Sequence, residues 1–211
     1  MNSRMRGLYA ITPDTLAGEA LLDRVRAALA GGIGALQYRS KSTDAQRRRE
    51  DALALAQLCR ECGVTFIVND DLELALAVDA DGVHLGRDDG DLRAARARLG
   101  KKLLGASCYD SYELAVEAVQ AGADHVAFGS VFPSPTKPHA ARAPLSLFAR
   151  ARELGVPLVA IGGINLENAA DVIAAGAHSL AVISDLFEAP DIAKRARGYA
   201  ALFASRFATG A

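Results

Sequence analysis

Apolar residues in this chain gather in short, nearly unbroken runs separated by longer stretches of helical spacing. The runs are GLYAIT (7–12), IGALQYR (33–39), VTFIVND (64–70) and GVHLG (82–86), then LLGAS (103–107), HVAFGS (125–130), PLVAIGG (157–163) and SLAVIS (179–184). Their β-branched, continuously apolar character predicts parallel strands covered on both faces. The intervening segments, such as 17–30, 44–61, 110–121 and 165–175, are rich in Ala and Leu at helical spacing. Several end on a glycine just before the next run: Gly31-Gly32, Gly63, Gly100, Gly122, Gly155 and Gly176. That is the C-terminal stop expected of a helix in a repeating βα unit. The segments QAGADHVAFGS and AAGAHSLAVIS read as one unit written twice.

Eight right-handed βα units predict an α/β protein, a (β/α)8 TIM barrel occupying residues 1–211 as one domain. A doubly wound open sheet is the alternative. The short GVHLG run divides the two readings, because as a loop it would break the count of eight.

Composition adds limits. The chain has 211 residues, 51% of them hydrophobic, and a mean hydropathy of +0.12, which supplies a sizeable core. With 24 basic and 25 acidic side chains the net charge is −1, so no bulk field calls for nucleic acid or a membrane surface. Any phosphate recognition must be local. There is no signal-like apolar run near the N-terminus and no membrane-length segment. Three cysteines without a disulfide framework suit a reducing, cytoplasmic compartment. Cys59 and Cys62 lie three apart on a predicted helix with no second pair, which points to core or surface positions rather than zinc. RRRE (47–50) reads as a solvated helix face, and His125 and His178, at strand starts, as structural.

Polar residues cluster after the strands, the end where such barrels build their sites. Gln37, Arg39 and Lys41 alternate past the second run. Asn69, Asp70 and Asp71 follow the third, one of them serving as a helix N-cap. The fourth gives His84 and then Asp88 and Asp89, and the fifth ends at Ser107. The sixth leads into FGSVFPSPTK (128–137), where two prolines stiffen a loop carrying Ser134, Thr136 and Lys137; through residue 144 this loop has no periodic pattern and is expected to act as a lid. Gly162-Gly163 and Ser184 follow the seventh and eighth. Arg39, Lys41 and Lys137 are cations suited to phosphate oxygens, while Asp70 and Asp89 are hard oxygen donors suited to Mg²⁺. A metal-held diphosphate near strands two to four and a backbone-held phosphate near strands seven and eight are therefore expected.

Taken together, QxRxK (37–41), ND (69–70), ADGVHLGxxD (80–89), GxS (105–107), FPSPTK (132–137), AIGGI (160–164) and VIS (182–184) resemble the thiamine-phosphate synthase family over nearly the whole chain. The resemblance implies a transferase that joins a pyrimidine-methyl diphosphate to a thiazole phosphate and releases diphosphate. It implies that Arg39, Lys41, Asn69 and Lys137 hold the diphosphate, that Asp70 and Asp89 bind Mg²⁺, and that Tyr9, Gln37 and His84 contact the pyrimidine. Ser107 would lie near both reactants. Ser134 and Thr136, with Gly162, Gly163, Ile183 and Ser184, would receive the thiazole phosphate. The family often has Gln where this chain has Arg87 and His where it has Tyr109. Two other functions compete: a thiazole tautomerase of the same fold, and a non-catalytic sensor of a phosphorylated vitamin precursor.

Overall fold

The computed structural model describes residues 4–133 and 142–208. Its eight strands are β1 (Gly7–Ile11), β2 (Ala35–Tyr38), β3 (Thr65–Asn69), β4 (Gly82–Leu85), β5 (Leu103–Tyr109), β6 (His125–Phe128), β7 (Leu158–Ile161) and β8 (Ser179–Val182). Each pairs in parallel with the next, and β8 returns to β1, so the sheet closes in sequence order. This is the TIM barrel, not an open doubly wound sheet, and GVHLG is a strand.

The helices are α1 (Gly18–Ala30), α2 (Ala45–Cys62), α3 (Leu72–Ala77), α4 (Leu92–Leu99), α5 (Tyr112–Gln120), α6 (Ser146–Ala151), α7 (Ala169–Ala175), α8 (Ser184–Phe187) and α9 (Ile192–Ala208). The predicted glycine stops hold. Gly63 after α2, for instance, takes φ 67, a left-handed conformation that a Cβ would strain.

Strand alternation sorts the core into two shells. Outward residues such as Leu8, Leu36, Val68, Val83, Val126 and Leu180 pack against the helices. Inward ones such as Tyr9, Ile11, Ile67, Ala127, Val159 and Ala181 fill the barrel. The period of two puts Gln37, His84, Ser107 and His125 on the inward side as well.

The repeat glimpsed in the sequence has a physical basis at the N-terminal end of the barrel. The residue just before β4, Asp81, accepts from Phe66 N–H in β3 at 2.9 Å. Asp124, before β6, accepts from Leu104 N–H in β5 at 2.8 Å. His178 Nδ1, before β8, accepts from Leu158 N–H in β7 at 3.1 Å. An acceptor ahead of β4, β6 and β8 thus ties down the strand before it, whereas β2 is preceded by Gly34, which has no side chain to accept; His178 is structural as expected.

Candidate active site

Three loops at the C-terminal end of the barrel meet over β2 to β4. A cavity of about 610 Å³ there is lined by Ser40, Lys41, Arg48, Asn69, Asp70 and Asp89, among others. A second depression, at the opposite end, is occupied by ion pairs of Asp79 with Arg60 at 3.8 Å and Lys102 at 2.6 Å.

The acidic run after β3 divides its labour. Asp71 is the N-cap of α3: it accepts from Leu74 N–H at 2.9 Å and from Arg48 at 2.5 Å. Asp71 lines the cavity with its carboxylate already engaged, beside Asn69 and Asp70. Asp70 adopts φ 63, a left-handed backbone costing on the order of 1–3 kcal/mol in a non-glycine residue. Its N–H is held by the carbonyl of His84 at 2.8 Å. The same division follows β4, where Asp91 caps α4 through Ala94 N–H at 2.7 Å. Asp89 instead folds back to accept from Gly86 N–H at 2.8 Å.

Asp70 and Asp89 meet. Burial, then a hydrogen bond donated to Asp89 and the negative charge of Asp89, raise the Asp70 carboxyl to about 6, against opposing contributions from Asn69 and Arg39. Two carboxylates from neighbouring loops that share a site and resist full ionisation form a donor set that a divalent cation would relieve, so these residues fit Mg²⁺. Among the described residues no cluster of three or more metal-binding side chains occurs, so such an ion would draw its remaining ligands from substrate and water.

Lys41 is exposed at the cavity, whereas Arg39 is already engaged. Its guanidinium donates to Asp14, in the loop after β1. Its backbone N–H donates to Thr12 Oγ1 at 2.9 Å, and the Thr12 hydroxyl returns a bond to the Arg39 carbonyl at 3.1 Å. Sequence reasoning missed both partners. They lie 25 and 27 residues away, and only a loop-borne Asp after the first strand hinted at them.

A polar chain runs through the barrel below this cavity. Gln37 donates to Tyr9 Oη at 2.7 Å, and burial raises that phenol well above its ordinary range. His84 lies 3.0 Å from Ser107 Oγ through Nε2 and 3.3 Å from His125 Nε2 through Nδ1. Burial depresses His84 to about 4 and carries His125 well below its usual value, so both rings are neutral. The sequence reading made His125 structural; the barrel turns it inward onto His84.

On the far side, Val131 N–H donates to Ile161 and Phe132 N–H to Gly162, at 3.0 and 3.1 Å. A Cβ on Gly162 would lie 2.1 Å from Ser130 Oγ, and one on Gly163 would lie 2.3 Å from the Pro133 carbonyl. The glycine pair therefore lets the start of the proline loop press against β7. Asn168 donates to the Gly163 carbonyl at 3.0 Å, fixing the turn. Ile183 and Ser184 open α8, which is anchored through Asp185 to Arg195 and, at 2.7 Å, to Tyr199 Oη. Ser134, Thr136 and Lys137 lie outside the described residues.

The two departures from the family pattern touch each other. The Arg87 guanidinium stacks 5.0 Å from the Tyr109 ring centroid, and Arg87 N–H approaches Tyr109 Oη at 3.5 Å. Cys108, by contrast, points outward with its thiol pushed up by burial to about 12, so it is no nucleophile.

A family model described as thiamine monophosphate synthase matches residues 8–186. The chain belongs to that family. A thiamine-phosphate synthase from Aromatoleum aromaticum is 61% identical over 204 residues, covering 96% of this chain and 98% of its own length. One from Chromobacterium violaceum is 59% identical over 207 residues, covering 98% and 100%. The solved thiamine phosphate pyrophosphorylase from Pyrococcus furiosus superposes with a TM-score of 0.87 at 37% identity, covering 97% of this chain and 98% of that one. As a member of the thiamine-phosphate synthase family, this chain is an enzyme, a transferase. No helix among its described residues is long and apolar enough to cross a membrane.

Proposed function

We propose that this barrel couples a pyrimidine-methyl diphosphate to a thiazole phosphate, releasing diphosphate and forming thiamine phosphate. The observation that carries the reading is the convergence of Lys41, Asn69, Asp70 and Asp89 on one cavity, with Asp70 strained toward Asp89. A single-phosphate tautomerase has no use for that set.

Asp70 and Asp89 would hold Mg²⁺, which when bound supplies positive charge to the oxygens of the diphosphate. Arg39, Lys41 and Asn69 bind the same group, Arg39 with a fork already oriented by Asp14. Tyr9, Gln37 and His84 seat the pyrimidine against the barrel floor. Ser107 stands between the two substrates.

The bond between the pyrimidine CH₂ and the diphosphate oxygen breaks, and its electron pair leaves with the oxygen. Charge on the departing group is stabilised by positioned cations, an electrostatic contribution. The thiazole nitrogen then donates its own lone pair to the CH₂ carbon, so no residue has to remove a proton from it. The gain at this step is from proximity and orientation. Gly162 and Gly163 backbone groups, Ile183 and Ser184 receive the thiazole phosphate, with Ser134 and Thr136 added by family resemblance. Lys137, on the same grounds, reaches the diphosphate from the proline loop. A cytoplasmic location suits the three free thiols.

The test is to mix the protein with both substrates and Mg²⁺ and follow diphosphate and thiamine phosphate. Stoichiometric release of both is expected. Tight binding with no release would make the protein a sensor. Conversion of thiazole phosphate alone to an isomer would make it a tautomerase.

A further inference from the structure

His84, Gly105 and His125 stand side by side on β4, β5 and β6, paired in register across the two ladders. All three face inward, and the middle one has no side chain. A Cβ on Gly105 would lie 2.2 Å from His125 Nε2 and 2.4 Å from His84 Nδ1. The glycine is thus the gap through which two imidazoles on non-adjacent strands meet, at 3.3 Å between ring nitrogens. Ser107, two residues farther along β5 on the same face, takes the other nitrogen of His84 at 3.0 Å. The chain runs from the enclosed floor, His125 being 0% exposed, toward the mouth.

We infer that His125 is a positioning residue: it fixes the tautomer of His84 and thereby leaves the hydroxyl hydrogen of Ser107 for the substrate. This rests on the reading that Ser107 faces the reactants.

The direction follows from the ends of the chain. Each neutral ring carries one N–H, so the two contacts must run the same way. If Ser107 donates downward, His84 Nδ1–H donates to His125, and the remaining N–H of His125 sits on Nδ1. That atom is buried and has no hydrogen-bond partner among the described residues. An orphaned buried N–H is rare in folded proteins. If the chain runs upward, His125 Nε2–H donates to His84 Nδ1, and His84 Nε2–H donates to Ser107 Oγ. Only a lone pair is then bare at the floor, and the Ser107 O–H is free at the top. Tyr9 holds the His125 ring edge-on, at 78° and 6.3 Å between centroids, so the ring is walled in.

Histidine ring nitrogens in the ¹⁵N-labelled, substrate-free protein report the tautomer directly, compared across wild type, His125→Leu and His125→Gln. Wild-type His84 should carry its proton on Nε2; His125→Leu should lose that preference, and His125→Gln, whose amide can still donate, should keep it. In the coupling assay His125→Leu should lower kcat/KM for the pyrimidine substrate about fivefold, the size of one hydrogen bond. KM for thiazole phosphate should be unchanged, and His125→Gln should restore most of the loss. A proton on Nδ1 of wild-type His84, a tautomer indifferent to His125, or an altered tautomer with unchanged kinetics would each overturn the inference. A wild-type protein with the stated tautomer but no coupling activity would sink the proposed function and leave the lock standing.

Discussion

The Asp70 carboxyl, when it holds its proton, donates to the Asp89 carboxylate across the gap between the loops following β3 and β4. With Asp70 raised to about 6, the folded chain holds a proton there that the unfolded chain releases near 3.8. The native state therefore loses stability as pH rises through that window, and in the absence of a cation the pair opposes folding above it. Asp89→Asn should raise the metal-free Tm at pH 8 by about 2–4 °C, for about 1 kcal/mol once solvent screening is allowed for. Activity should fall at least about 10²-fold if the charge acts as other preorganised groups do. Scanning calorimetry with and without Mg²⁺ decides: a variant no more stable without metal, or as strongly stabilised by Mg²⁺ as wild type, contradicts the metal assignment.

Arg39 is already held by Asp14, so in the proposed reaction it would need its planar fork to bind the diphosphate as well. Arg39→Ala should weaken the pyrimidine diphosphate by about tenfold or more, the scale of a charged hydrogen bond, and leave thiazole phosphate nearly untouched. Arg39→Lys should not rescue it, because a point charge cannot make both contacts. Equal losses for both ligands in titration calorimetry would refute two separate anion sites.

Gly162 takes φ 103 and touches Ser130, so Gly162→Ala combines backbone strain with a clash of 2.1 Å. The segment 130–133 must move away from β7. The expected result is a raised KM for thiazole phosphate with the pyrimidine KM unchanged, and an overall stability loss of about 1–3 kcal/mol. A variant with wild-type KM values would show that this contact does not shape the second anion site.

Acid should loosen the barrel through its floor. His84 at about 4 and His125 well below 6.5 are neutral when folded but take up protons when unfolded. The stability held by their neutrality is present above pH 6.5 and is lost as pH falls through that value toward 4. The urea midpoint should drop between pH 7 and pH 4.5, and less so in His125→Gln. A midpoint that follows the same pH curve in both proteins would remove the histidines as the cause.

Much of the barrel was legible because its signals are local. A period of two sorts the residues of each strand onto two faces before any partner is known, and the structure finds Tyr9, Gln37, His84 and Ser107, which the family resemblance grouped around the reactants, on the inward one. Glycine stops and apolar runs gave eight units in order. Three things required the closed sheet. Which acid after β3 caps the helix was settled by backbone geometry at Asp71, freeing Asp70. The partner of Arg39 was settled by the β1–β2 ladder, which brings Asp14 and Thr12 to it across 25 and 27 residues. The contact of His84 with His125 was settled by register. A slip of one residue in either ladder would turn one ring outward, and nothing in a run of apolar residues encodes its stagger against the next. The sequence by itself determined which side chains of a strand share a face, because that depends on the strand's own pleat. Only the tertiary structure decided which of them touch, because touching depends on where neighbouring strands come to rest.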